Sequence, residues 1–243
     1  MPAAVVTGGA SGLGLAVVEA LAARGYRVLA LDLEIGALAG IGGVEAVTAD
    51  VRDAVALAAA LDMLGDTPLR VAVSCAGIAP ARRLLSRDGP HDLETFTRTL
   101  EINLTGTFNL MRFAAARMVS HPPDERGERG VIVNTASIAA YEAQIGQCAY
   151  AASKGAVAAM TLPAARELAA SAIRVVALAP GLFATPMIGA MPERVQASLA
   201  ESVPFPHRLG RPHEFASMVM HVVDNPYLNG AVLRLDAALR MGA

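Results

Sequence analysis

Tyr150 and Lys154 stand four residues apart, and Ser137 precedes Tyr150 by thirteen. On a helix, residues four apart share a face, so the phenol and the ammonium would project together. A free tyrosine, with a pKa of about 10, is a poor base near neutral pH. A cation about 5 Å away at an effective dielectric of about 20 contributes ~3 kcal/mol, or roughly two pKa units. Such a pair can take the proton of a secondary alcohol while hydride leaves its carbon. A serine hydroxyl beside it can hydrogen-bond the oxygen on which charge changes. Of 20 basic residues 19 are arginine, and the one lysine is Lys154. Because an ammonium and a guanidinium are not interchangeable, its placement four residues after one of only four tyrosines argues against coincidence. Blander readings exist for each residue alone: Ser137 as a cap, and Tyr150 with Lys154 as an exposed helical pair.

A second constellation opens the chain. Thr7-Gly8-Gly9-Ala10-Ser11-Gly12-Leu13-Gly14 follows an apolar run and leads into an alanine-rich segment. Glycines so placed allow a tight turn and close backbone approach to a pyrophosphate, with a helix N-terminus aimed at it. Gly8, Ser11, Gly12, Leu13 and Gly14 are therefore candidate cofactor contacts. Asp32 follows Gly14 by 18 residues, near the spacing expected of a ribose-binding carboxylate. A carboxylate there accepts from ribose hydroxyls and repels a 2′-phosphate, and no cation adjoins it in Leu33-Glu34. The expected cofactor is NAD rather than NADP. A glycine-rich turn alone would be weak evidence; the turn with Asp32 puts the dinucleotide reading well ahead.

These residues need a scaffold. Apolar, β-branched runs at Ala3–Thr7, Tyr26–Leu31, Val44–Ala49, Leu69–Ser74, Gly130–Thr135, Ile173–Ala179 and Ala231–Leu235 read as strands buried on both faces. Helical patterns at Gly12–Ala23, Asp53–Leu64, Leu93–Val119, Tyr150–Ala170 and His213–Val223 alternate with them, and Pro163 should kink the fourth. Such alternation predicts one α/β domain over residues 1–243, a Rossmann-type doubly wound parallel sheet of about seven strands with helices on both faces. Two segments break it: a surface loop at His121–Arg129 and a long proline-containing insertion at Leu182–Arg211, expected to be a substrate lid. The chain is 54% hydrophobic, 17% charged and of net charge −2, which offers nucleic acid no footprint. No run of 18 uncharged apolar residues suggests a membrane span, and no charged, apolar leader opens the chain. Two cysteines, Cys75 and Cys148, form no framework, so a reducing, cytoplasmic location is expected. The five histidines show no metal-binding spacing, and no catalytic metal is expected.

Ser-x12-Tyr-x3-Lys behind a Thr-Gly-x3-Gly-x-Gly loop resembles the short-chain dehydrogenase/reductase family. The resemblance spans essentially the whole chain, including Asn103 in Asn103-Leu104-Thr105-Gly106-Thr107 and Pro180-Gly181 after the sixth strand. It implies Tyr150 as base, Ser137 on the substrate oxygen, Lys154 on the nicotinamide ribose and Asn103 in a water-borne proton relay. It further implies cofactor contacts from Asp50, Val51, Cys75, Ala76, Gly77, Tyr150, Lys154, Pro180, Gly181, Phe183 and Thr185. The chain departs from the family where Ser74-Cys75-Ala76-Gly77 replaces the usual Asn-Asn-Ala-Gly, and where Leu235-Asp236-Ala237-Ala238 lacks a common Gly-Gly. Neither departure is expected to touch proton or hydride transfer. Cys148 reads as a small packing residue.

Within the family, Gly146-Gln147-Cys148-Ala149-Tyr150, Val203-Pro204-Phe205-Pro206 and the stretch from Asn229-Gly230 to Arg240-Met241 are similar to the type II 3-hydroxyacyl-CoA dehydrogenases, also described as type 10 17β-hydroxysteroid dehydrogenases. That likeness implies interconversion of (S)-3-hydroxyacyl-CoA and 3-oxoacyl-CoA, with substrate contacts from Ser137, Gln144 and Tyr150. The apolar insertion, with Met187 and Met191, suits an acyl chain or a sterol. No basic cluster marks a site for the CoA phosphates. Alternatives are a hydroxysteroid or other secondary-alcohol dehydrogenase, an NADPH-linked ketoacyl reductase, which Asp32 opposes, and a non-catalytic scaffold. A homotetramer is expected from the family and from alanine-rich helix faces.

Overall fold

The computed structural model describes residues 1–242. Seven strands form one parallel sheet: β1 (Ala3–Thr7), β2 (Arg27–Asp32), β3 (Val44–Thr48), β4 (Leu69–Ser74), β7 (Gly130–Thr135), β8 (Ile173–Pro180) and β9 (Val232–Leu235). The intervening β5 (Leu85–Ser86) and β6 (Gly89–Pro90) make a separate antiparallel hairpin that the sequence pattern did not reveal. The sheet order is β3-β2-β1-β4-β7-β8-β9, so the chain reverses direction across the sheet between β1 and β4. Loops leaving two adjacent strands toward opposite sides open a crevice at their carboxyl ends. Central strands are buried along nearly their whole length, whereas edge strands β3 and β9 are only part-buried. That is why the central strands read as unbroken apolar runs.

Alternate residues of each strand feed two separate cores. Val5, Leu29, Ala72, Ile132 and Val175 point one way, packing with Leu57, Leu110 and Ala165. These come from α2 (Ala54–Asp62), α4 (Gly106–Val119) and α6 (Cys148–Leu168). Val6, Val28, Val73, Val133 and Val176 point the other way, against Val17 of α1 (Gly12–Ala23) and Phe215 of α9 (Pro212–Asp224). Asp53 starts α2 by accepting from the Val55 and Ala56 amides at 2.9 and 3.0 Å.

Three expectations change in detail. Leu93–Val119 is α3 (Leu93–Leu100) and α4 joined by a π-helical turn, Glu101–Thr105, which places Asn103 off the regular α period. α6 starts at Cys148 and continues through Pro163 without interruption, so the expected kink does not divide it. The Leu182–Arg211 insertion carries two short helices, α7 (Pro186–Gly189) and α8 (Glu193–Glu201). Its Phe183, Ile188 and Val203 are buried, while Met187, Met191, Val195 and Phe205 are exposed.

Candidate active site

The glycine loop leaves β1 at the crevice. Gly8 adopts a φ of +66°, and a Cβ there would lie 2.5 Å from the Ala76 amide nitrogen. A Cβ on Gly14 would lie 2.0 Å from the Gly8 carbonyl oxygen. These glycines are thus required by backbone-on-backbone packing, which closes the turn and draws α1 against the loop after β4. The Leu15 amide makes the helix's first bond, to the Ser11 carbonyl at 3.1 Å, and no side chain caps it. The amides of Gly12, Leu13 and Gly14 therefore have no acceptor among the described residues and form an anion cradle. Asp32, at the end of β2, accepts from the Ala10 amide at 2.9 Å and the Leu33 amide at 2.8 Å. The carboxylate is pinned beside the loop with lone pairs to spare for ribose hydroxyls. Together, the glycine cradle and Asp32 fit a nicotinamide dinucleotide.

The other expected cofactor residues are placed unevenly. Asp50 is bound by Arg52 at 2.6 Å, and that guanidinium holds its carboxyl below the usual range. Val51 is buried, and its carbonyl accepts from Asn109 at 3.1 Å. The Cys75 amide donates to the Thr7 carbonyl at 2.9 Å, which carries Ala76 and Gly77 over the crevice. Burial pushes the Cys75 thiol up to about 11. A Cβ on Gly77 would meet Asn103 Oδ1 at 3.1 Å and Lys154 Nζ at 3.7 Å. Pro180 ends β8, and the Gly181 amide is held by the Leu235 carbonyl at 3.0 Å. Thr185 faces Gly12, whose Cβ would lie 3.3 Å from its side chain. The Phe183 ring lies in the core, edge-on to Phe215 with centroids 6.2 Å apart, which leaves its main chain at the crevice side of the segment after β8.

Ser137, Tyr150, Lys154 and Asn103 come together above β4 and β7. Ser137 follows β7, and its hydroxyl accepts from the Ala139 amide at 3.1 Å, at the start of α5 (Ala139–Glu142). Tyr150 and Lys154 share one face of α6, with Nζ 5.8 Å from the phenol ring centre. Burial pushes the Tyr150 phenol above its ordinary 10, and hydrogen bonding with Ser137 pulls the other way. Burial also lowers the Lys154 ammonium, to about 8. Lys154 Nζ donates to the Thr135 carbonyl at 2.7 Å. Asn103 clamps the backbone of Ile78, accepting from its amide and donating to its carbonyl, each at 2.8 Å. It also donates to Ser153 at 3.0 Å, and Ser153 donates to the Tyr150 carbonyl at 2.7 Å. Gln144 sits in the loop before α6, its amide donating to Gln147 Oε1 at 3.0 Å.

Sequence reasoning missed three supports. Ser153 lies inside the Tyr-to-Lys spacing but has no chemistry of its own to flag it. Arg234 pairs with Glu142 and Asp236, and Arg240 approaches both carboxylates, tying α5 to the chain after β9. Arg82, Arg83, His91 and Arg98, mixed with Asp88, Asp92 and Glu94, line a pocket of about 480 Å³ beside the β5–β6 hairpin. Three arginines face three carboxylates there, so the pocket is mixed in charge rather than basic.

A switch-point crevice with a glycine cradle, a ribose-side carboxylate and a tyrosine–lysine pair defines a nicotinamide-dependent oxidoreductase. The chain belongs to the short chain dehydrogenase family, which it matches over residues 2–196. It is 48% identical to human 3-hydroxyacyl-CoA dehydrogenase type-2 over 250 residues, covering 98% of this chain and 95% of the human protein. It is 47% identical to the Drosophila melanogaster protein of the same name over 249 residues, covering 98% and 96%. Among solved structures, 3-hydroxyacyl-CoA dehydrogenase type-2 from Mycobacterium avium superposes with a TM-score of 0.94 at 42% identity, covering 99% of this chain and 96% of that one. No helix among the described residues is long and apolar enough to cross a membrane.

Proposed function

We propose that the protein oxidises (S)-3-hydroxyacyl-CoA to 3-oxoacyl-CoA with NAD, and runs in reverse with NADH. The observation that carries the reading is Tyr150 and Lys154 on one face of α6, beside Ser137 and below a glycine cradle flanked by Asp32. The Gly8–Gly14 loop, Asp32 and Lys154 would hold the nicotinamide cofactor, which would supply the hydride acceptor. Tyr150, as phenolate, takes the proton of the C3 hydroxyl. Ser137 donates to the same oxygen as it becomes a carbonyl. Lys154 spends one of its three N–H groups on the Thr135 carbonyl, leaving two for ribose hydroxyls. Asn103 fixes the loop carrying Gly77 and Ile78 and, through Ser153, the first turn of α6. Asp32 favours NAD by repelling a 2′-phosphate.

The thioester is supported by the names of the similar proteins; the pocket beside the β5–β6 hairpin, with three arginines and three carboxylates, adds no net positive charge to that support. The Arg82 amide donates to the Gly146 carbonyl at 2.8 Å, joining that pocket to the loop that enters α6. The exposed Met187 and Met191 of the insertion offer soft apolar surface for an acyl chain, with the insertion as a lid and Gln144, in the loop before α6, as a substrate contact. A reducing, cytoplasmic setting and a homotetramer complete the reading; Phe108 on α4 and Leu162 on α6 are exposed apolar side chains suited to a subunit contact. The test is a panel of acetoacetyl-CoA, longer 3-oxoacyl-CoAs and a 17-ketosteroid with NADH, followed by absorbance, on the native protein and Tyr150→Phe. Thioester reduction that vanishes in Tyr150→Phe, with NADH binding retained, is expected. A steroid that outperforms every thioester in kcat/KM would overturn the substrate, and an active Tyr150→Phe would overturn the base.

A further inference from the structure

Asn109 lies outside the proton and hydride chemistry, yet it is buried and both ends of its amide are engaged. Its Nδ2 donates to the Val51 carbonyl at 3.1 Å, 58 positions away in the turn between β3 and α2. Arg112 Nε donates to its Oδ1 at 3.1 Å, and the Arg112 guanidinium is itself seated 4.0 Å from the Phe113 ring centre. A guanidinium only donates, so this contact takes the Asn109 oxygen and turns the nitrogen toward Val51. At the start of the same helix, a Cβ on Gly106 would lie 2.5 Å from Val51 Cγ2. Helix α4 thus grips Val51 by its side chain and by its carbonyl. The peptide before Val51 is held as well, because the Asp50 carbonyl accepts from the Asp53 amide at 2.9 Å. What remains is the amide of Val51, a buried residue, which has no acceptor among the described residues. A buried N–H without a protein partner is costly until a ligand supplies one.

We infer that Asn109 is a positioning residue for the cofactor's adenine, fixing the Val51 carbonyl so that the Val51 amide faces the base. The inference rests on the proposed use of NAD. Sheet order gives the direction: the glycine cradle follows β1, Asp32 ends β2, and Val51 follows β3, the next strand outward. A base carried by the ribose at Asp32 therefore lies on the Val51 side, away from Tyr150 and Lys154. Adenine presents an amino donor beside a ring-nitrogen acceptor. Asp50 and Val51 present the converse, a carboxylate acceptor followed by a main-chain donor. With the peptides on both sides of Val51 held, its N–H keeps one direction, and binding does not have to order it. Without the Asn109 N–H, the Val51 carbonyl has no other partner among the described residues. The turn must then rearrange to hydrate it, and the amide loses its fixed direction.

The experiment measures binding of NADH and of its hypoxanthine analogue by fluorescence titration, with steady-state kinetics and thermal melting, for the native protein, Asn109→Asp and Asn109→Leu. Hypoxanthine replaces the amino donor by an oxygen and puts a proton on the ring nitrogen, so it inverts the pattern that Asp50 and Val51 match. Asn109→Asp keeps an acceptor for Arg112, which safeguards folding, but has no N–H for Val51 at pH 7. Asn109→Leu removes the donor at nearly constant volume. The native protein should prefer the adenine dinucleotide. Both variants should bind NADH about three- to tenfold more weakly, the factor given by one neutral hydrogen bond. They should bind the hypoxanthine analogue nearly as the native protein does, so the preference for adenine narrows by a similar factor. The KM for NAD should rise while kcat and substrate KM stay near native. Variants that melt lower but keep native NADH affinity would leave Asn109 a purely structural role, and equal weakening of both dinucleotides would exclude an action through the base. A native protein that binds both dinucleotides equally well refutes the contact between Val51 and the base, whereas one that does not bind NADH at all fails the NAD reading itself.

Discussion

Gly14→Ala tests the anion cradle most directly. The added methyl would sit 2.0 Å from the Gly8 carbonyl oxygen and 2.7 Å from the Gly8 carbonyl carbon. Ordinary contact begins near 3.4 Å, so the loop and α1 must part by about 1.4 Å, and both sides of the clash are backbone. Gly8 cannot retreat freely, since it packs so closely on the loop after β4 that a Cβ on it would lie 2.5 Å from the Ala76 amide nitrogen. Overpacking of this kind costs about 1–3 kcal/mol of stability. The larger effect falls on the ligand. Displacing the helix start by that distance breaks at least one amide bond to a pyrophosphate oxygen, worth about 1.5–3 kcal/mol for a charged acceptor. NADH should therefore bind roughly 10- to 100-fold more weakly, as read by fluorescence titration, with thermal melting alongside. Gly42→Ala, where a Cβ meets nothing within 4 Å, is the control and should bind as the native protein does. A folded Gly14→Ala protein with native NADH affinity would refute the cradle.

Other perturbations follow from the same geometry. Asp32→Ser should narrow the preference for NAD over NADP at least about tenfold by removing a charge from the 2′ position; a native enzyme already faster with NADP would contradict the assignment. Lys154→Met should abolish turnover yet raise thermal stability at pH 7. Folded Lys154 loses its proton near pH 8, while the unfolded chain keeps it to about 10.5, so the folded ammonium costs stability below pH 8. Between those values the unfolded state binds more protons, and native stability should climb with pH relative to the variant. Urea melts at pH 7 and pH 10 check this, and a stability difference that does not change with pH would count against it. Ala237 has a φ of +51°, in the left-handed region where an alanine is strained. Ala237→Gly should relieve about 1 kcal/mol, partly offset by unfolded-chain entropy, and raise Tm by about 1–2 °C; a fall in Tm would show that the turn is not strained.

Ala237 also shows where reading a sequence stops. The missing Gly-Gly was visible, but the positive φ was not, because it is imposed by Asp236 accepting from the Ala238 amide at 3.1 Å and by its ion pair with Arg234. What the chain alone determined was whatever has a local period or a required residue type. Continuous apolar runs marked all seven sheet strands to within a residue at each end, since burial on both faces leaves no polar alternation to read. The glycine spacing marked the cradle because no other residue tolerates those approaches, and the four-residue step marked the Tyr150–Lys154 face because helical geometry sets it. Tertiary structure alone decided what depends on segments distant in sequence. The Phe183 ring was placed in the core by Phe215, 32 residues on. Asn103 was turned toward Ile78 and Ser153 by a π-helical turn that has no composition signature. Ser74 reaches Thr135 across 61 positions, and Glu142 meets Arg234 across 92. Those contacts arise because the parallel sheet brings the carboxyl ends of nonconsecutive strands side by side, and no spacing along the chain encodes which side chains then touch.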